Sequence, residues 1–175
     1  MTESIRICST VGGPEVVSQL ADVLIDCVEA GASIGFMDPL PRPKAISFWE
    51  GVFASAARGE RIVLVAEDLE RGRIVGTVQL LLAMPDNQIH RADLAKMQVH
   101  RCGRRRGVGA ALMRAAEGAA RDAGKTLLVL DTVTGSDAER LYLRLGWHRC
   151  GVIPGYAHWP RGGLCSTTVL FRQLD

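Results

Sequence analysis

The chain has 175 residues, 47% hydrophobic and 23% charged, the make-up of one globular domain with a substantial core. Its formal net charge of +2 is too small to hold the whole molecule on a nucleic-acid backbone or an anionic membrane, so neither is expected as a partner. The five cysteines are odd in number and widely spaced, and no basic-then-apolar leader or membrane-length apolar run occurs, so a cytoplasmic protein is expected.

Residues 4 to 10 read as a first strand, broken by Gly12-Gly13-Pro14, whose proline suits the first turn of a helix. Val16, Val17, Leu20, Val23, Leu24, Cys27 and Val28 then form one apolar helical stripe that ends at Gly31. Gly31 to Met37, ahead of Pro39, Pro41 and Pro43, reads as a shaped loop able to cover a pocket. A second helix is expected from about Lys44 to Arg58, then a hairpin of Arg61 to Glu67 and Ile74 to Leu82. A turn at Pro85-Asp86-Asn87 leads into a strand from about Ala92 to Val99.

Val108 to Ala123 carries helical spacing, Gly124 terminates it, and Lys125 to Asp131 reads as a short buried strand. Strand, helix and strand of these lengths make a right-handed crossover between parallel strands. Ser136 and Glu139 have capping-box spacing, so another helix is expected from Ser136 to near Gly146. Trp147 to Val152 and Thr167 to Phe171 close the pattern around a turn at Pro154-Gly155-Tyr156. His90, His100, His148 and His158 are not spaced as zinc ligands with the cysteines, and no metal is expected.

The segment Arg104-Arg105-Arg106-Gly107-Val108-Gly109-Ala110 holds most of the chemical information. Three arginines at a helix start are unfavourable against the positive end of the helix dipole unless an anion lies close by. With Gly107 and Gly109 leaving the backbone open, the N–H groups from Arg105 to Ala110 are placed to surround a diphosphate while an arginine neutralises it. The Gly-Lys-Ser/Thr triplet of a Walker loop is absent, and Leu112 stands where a dinucleotide fingerprint needs its third glycine.

Arg104 to Ala110, following Met97-Gln98-Val99, resembles the Q/R-x-x-G-x-G/A signature of the GNAT acetyltransferases. Downstream, Ala138-x-x-x-Tyr142-x-x-x-Gly146-Trp147 resembles the A-x-x-x-Y-x-x-x-G-F segment of the same family. Five further segments are similar to the tabtoxin-resistance acetyltransferases: Gly31 to Met37, Arg91-Ala92-Asp93, Leu130-Asp131-Thr132, Gly135-Ser136 and Pro154-Gly155-Tyr156. The resemblance implies an α/β (α+β) fold with a mixed central sheet of about seven strands and about four helices, splayed between the fourth and fifth strands. It implies acetyl-CoA as cosubstrate, with the pantetheine arm in the splay on backbone groups of Met97 and Val99 and the diphosphate on N–H groups from Arg104 to Ala110. Where many members carry Asn this chain has Gly135, with Ser136 as the substitute contact.

An amine with a pKa of roughly 8 must lose a proton before it attacks a thioester. The family match makes Asp131 and Asp93 the carboxylates for that step, Asp93 acting through water because relatives carry the longer Glu there. Tyr142 matches the tyrosine that donates to the departing thiolate. Ser33, Phe36, Met37, Asp131 and Tyr156 are the expected walls for a small-molecule amine, acetylated by direct transfer in a ternary complex, by a monomer or homodimer. An acyl-CoA-binding sensor without turnover and an acetyltransferase acting on a protein amine are the alternatives.

Overall fold

The computed structural model describes residues 4–175. Seven strands, β1 (Ile5–Ser9), β2 (Arg61–Asp68), β3 (Arg73–Leu81), β4 (Arg91–Val99), β5 (Leu127–Val133), β6 (His148–His158) and β7 (Leu164–Gln173), form one sheet in the order β1-β2-β3-β4-β5-β7-β6. Four helices, α1 (Pro14–Glu29), α2 (Arg42–Ala57), α3 (Val108–Asp122) and α4 (Asp137–Arg144), cover it. None is long and apolar enough to cross a membrane among the described residues.

Each sheet face has its own core. Ala92, Leu94, Leu128 and Leu130 point to one side and pack with Leu112, Met113 and Ala116 of α3 and Tyr142 of α4. Val63, Val65 and Ile74 point to the other and pack with α1 and α2 around Trp49. Leu112 and Trp49 are both fully buried, and truncating such residues to alanine costs about 2–5 kcal/mol because a cavity adds to the lost transfer energy.

All pairings are antiparallel except β4 with β5, which are parallel and meet only at Arg91↔Leu127, Ala92↔Leu128 and Asp93↔Val129. Beyond Asp93 the strands part, for two reasons. A bulge in β4 shifts its register against β3 and leaves Lys96 at φ 51°, bending the strand. On the other side β5 stays paired with β7 through Val133↔Thr167 and cannot follow. The result is the splay expected of the fourth and fifth strands.

The closing hairpin differs from the sequence reading. β6 runs on to His158, and Pro154-Gly155-Tyr156 is a bulge within it, marked by the register shift between Ile153 and Ala157. The true turn lies at Trp159 to Gly163, where the Trp159 N–H donates to the Gly163 carbonyl at 2.9 Å. β6 is an edge strand, so a proline and a glycine there disrupt no second ladder, and local turn chemistry overstated the break.

Candidate active site

The wedge between β4 and β5 is lined by peptide groups on one edge. The His100 N–H donates to Val75 of β3 at 2.9 Å. Alternation along the strand therefore turns the peptide groups of Val99, and of Met97 one repeat earlier, away from β3 and into the wedge. Gln98 faces the α1/α2 side opposite Thr77, and its amide nitrogen and oxygen are buried without a partner among the described residues. The Val99 carbonyl accepts from Arg104 Nε at 3.1 Å and from the Cys27 thiol at 3.7 Å.

At the open end of the wedge, Arg105 (φ 58°) and Gly107 (φ 77°) are left-handed and curl the chain before α3 begins at Val108. Gly107 caps the helix without a side chain, so the first free N–H groups of Val108, Gly109 and Ala110 are turned outward at its positive end. A Cβ on Gly109 would stand 3.0 Å from Leu141 of α4 and 3.9 Å from the Met97 sulfur. Only a residue without a side chain fits there unless Leu141 shifts, and this close approach puts the turn, β4 and α4 around one opening.

The arginines divide their work. Arg106 Nη1 pairs with fully buried Asp68 at 2.5 Å, and its Nη2 reaches Ser4 at 3.1 Å. Arg104 caps the Val99 carbonyl and stands 3.8 Å from Asp26, a buried carboxylate that also pairs with Arg101. Much of the missing negative charge is thus built into the fold. Arg105 is exposed, forms no ion pair among the described residues and lies within electrostatic reach of Asp137 at the start of α4. Its guanidinium is the one of the three without a carboxylate partner among the described residues.

On the far side of the wedge, Ser136 caps α4 by accepting from the Glu139 N–H at 3.1 Å, and Glu139 returns to the Gly135 N–H at 2.5 Å. Glu139 reaches one residue before the cap, because the Ser136 N–H donates to the Val133 carbonyl at 3.2 Å, and the acceptor capacity of Ser136 is partly spent on the helix. Two residues before the end of α4, Tyr142 is 4% exposed, with its ring packed against Trp147 at a centroid distance of 6.1 Å. Burial, then the nearby charge of Asp131, raise its pKa above that of an ordinary phenol.

Ala92, Leu94, Leu128 and Leu130 belong to the α3-side core, so the alternating Asp93 and Asp131 project to the α1/α2 side. Asp93 is ion-paired with Arg91, which also binds Gln88 at 2.8 Å. Asp131 is exposed and accepts one bond, from Thr167 Oγ1 at 2.8 Å. Asp131 and Tyr142 therefore approach the wedge from opposite faces of the sheet, within electrostatic reach of each other.

The family model described as the acetyltransferase (GNAT) domain matches residues 59–149. The chain belongs to the GNAT acetyltransferase family. The match spans β2 through the start of β6 and includes the splay, the Arg/Gly turn and α4. Among solved GNAT-like structures, yncA from Salmonella typhimurium, described with its cofactor acetyl-CoA, is 20% identical with a TM-score of 0.78, covering 98% of this chain and 95% of that one. A GCN5-related N-acetyltransferase from Kribbella flavida is 23% identical with a TM-score of 0.80, covering 98% and 99%. A ribosomal-protein-alanine N-acetyltransferase from Brucella melitensis is 21% identical with a TM-score of 0.79, covering 97% and 99%.

In this GNAT protein the expected acceptor walls fare unevenly. Ser33 Oγ donates to the His158 carbonyl at 2.8 Å, and Phe36 packs edge-on against Phe48 at 5.1 Å, so both build the loop. Met37 and Tyr156 remain open, 49% and 55% exposed. The loop is docked on the β6–β7 hairpin, with the Asp38 N–H donating to Pro160 at 2.9 Å and Arg161 pairing with Asp38 at 2.8 Å. Sequence reasoning missed Lys96. Its ammonium lies 3.5 Å from where a Cβ on Gly35 would be, and burial lowers its pKa, with Asp131 opposing and Arg61 assisting. The available signal was a lysine in the middle of a strand, flanked by Leu94, Ala95 and Met97.

Proposed function

We propose that the protein transfers the acetyl group of acetyl-CoA to the amine of a small molecule by direct attack in a ternary complex. The observation that carries this reading is the wedge, open to both sheet faces, with the Arg/Gly turn at its mouth and Asp131 and Tyr142 on opposite sides. Its residues fit coenzyme A. The free N–H groups of Val108 to Ala110 and the Arg105 guanidinium suit a diphosphate, and the Met97 peptide groups and the Val99 N–H suit an extended amide-bearing arm, the Val99 carbonyl being taken by Arg104 and Cys27. The N–H groups of Arg104 to Gly107 lie in the same turn, and the Ser136 hydroxyl, which accepts from the Glu139 N–H, keeps its own proton to donate.

Bound there, the thioester supplies an acyl group activated toward amines. Asp131, with one oxygen held by Thr167 and the other available, takes the proton from the incoming ammonium. Asp93, held by Arg91, assists through water. Tyr142 keeps its proton across the physiological range and donates it to the leaving sulfur. A wedge-edge N–H of β4 stabilises the developing oxyanion. Direct attack is favoured over relay through a cysteine because the Cys27 and Cys165 thiols are spent on the carbonyls of Val99 and Ala157.

The loop docked over the α1/α2 side favours a small acceptor over a protein terminus. Met37 and Tyr156 are its open contacts, and the residues similar to tabtoxin-resistance enzymes make toxins and antibiotics of amino-acid type the first to test. Calorimetry should detect binding of CoA and acetyl-CoA, and thiol release should appear with some members of an amine panel that includes β-lactam amino acids. Binding without turnover of any amine would leave a sensor. Absence of binding by folded protein would remove both readings.

A further inference from the structure

Lys96 combines two unfavourable features at one residue. A non-glycine residue at φ 51° is strained, and its mostly sheltered ammonium forms no ion pair among the described residues. Asp131 lies within electrostatic reach on the neighbouring strand, yet takes its hydrogen bond from Thr167 and leaves a gap between the two charges.

The surroundings supply donors in excess. Gln79 is 1% exposed and lies beside Ala95, the residue before Lys96, on the same sheet face. Its amide oxygen is taken by Arg61 Nη1 at 2.9 Å, and Arg61 Nε binds Ser55 at 3.0 Å. The Gln79 amide nitrogen is left buried without an acceptor. The Lys96 ammonium on β4, the buried Gln79 amide N–H on β3 and the Arg61 guanidinium on β2 share the sheet face to which Asp131 of β5 projects, and Lys96 lies within electrostatic reach of that carboxylate. This floor calls for a ligand that is negative at one end and positive at the other.

We propose that the acetyl acceptor is an amino acid or close analogue with a free carboxylate, which docks on Lys96 and the Gln79 amide while its amine faces Asp131. The inference rests on the acetyl-transfer reading and narrows its substrate class. Arg61 tightens the site by holding the Gln79 amide in register. Gly35 leaves room above the ammonium, since a side chain there would meet it.

The test uses matched sets: an amino acid, its carboxamide and its decarboxylated amine, over several side chains, each assayed by thiol release with acetyl-CoA and by calorimetry on the CoA complex. The free acid should exceed its carboxamide in kcat/KM by about 10- to 100-fold, the range for a hydrogen bond to a charged group. Lys96→Met should bring that ratio toward one, mainly through the acceptor KM, and Lys96→Arg should restore part of it. Carboxamides used as well as acids by the unaltered protein would overturn the inference and leave acetyl transfer standing, a comparison that requires no variant to fold. Equal losses for acid and carboxamide in Lys96→Met would also overturn it. Absence of both CoA binding and turnover would sink the transferase reading instead.

Discussion

Tyr142 shows how one position joins fold and chemistry. Its ring belongs to the core between α3 and the sheet, while its phenol is coupled to Asp131 across the wedge. Tyr142→Phe keeps the packing and removes the proton donor, so kcat should fall about 100- to 1,000-fold, with the affinity for CoA measured by calorimetry nearly unchanged. Because its folded pKa is raised, the protonated form persists as pH climbs. The alkaline side of the kcat profile should therefore show no loss from this group below roughly pH 10, its ordinary value. A drop at lower pH that vanishes in Tyr142→Phe would contradict the assignment. The placement of Tyr142 and Asp131 beside the wedge was legible because motif and strand end mark them in one dimension. Lys96 was not, because its importance comes from a left-handed bulge and from Gly35, distant in sequence.

The turn before α3 separates binding from scaffolding within three consecutive residues. Arg105→Ala should weaken CoA binding by about 10-fold and flatten its salt dependence, while the urea midpoint stays near that of the unaltered protein. Arg106→Ala should do the reverse and lower the midpoint, because Asp68 is fully buried and loses its principal partner. The pH dependence has a definite sign. Arg106 is the main cause that depresses the Asp68 pKa, so its contribution is present above the ordinary carboxylate range and lost as pH falls below about 4. The gap in midpoint between the two proteins should be widest near neutrality and shrink in acid. Residue spacing marked the turn and its arginines but not which of them a carboxylate of the fold would take, since Asp26 and Asp68 come from α1 and the end of β2.

At the scale of the molecule, one parallel pairing cut short after Asp93 opens a passage between the two faces of the sheet. The α3 side offers the Arg/Gly turn and Tyr142, and the α1/α2 side offers Asp131, Lys96 and the docked loop. Acetyl-CoA at about 100 times its Kd should stabilise the protein by about 2.7 kcal/mol, seen as a rise in Tm. Hydrogen exchange should slow at Met97, Val99 and residues 105–110, with little change in β2 or β3. Protection confined to other segments would place the coenzyme elsewhere.

Periodicity, capping residues and the two ordered motifs were enough to establish the helices, most strands, the crossover and the family, because those signals depend on neighbours along the chain. Pairing partners, the bulge in β4, the length of β6 and the division of labour among Arg104, Arg105 and Arg106 emerged only on folding. They depend on registers and buried charges contributed by segments as much as 102 residues apart, and no local pattern encodes which carboxylate a guanidinium will reach.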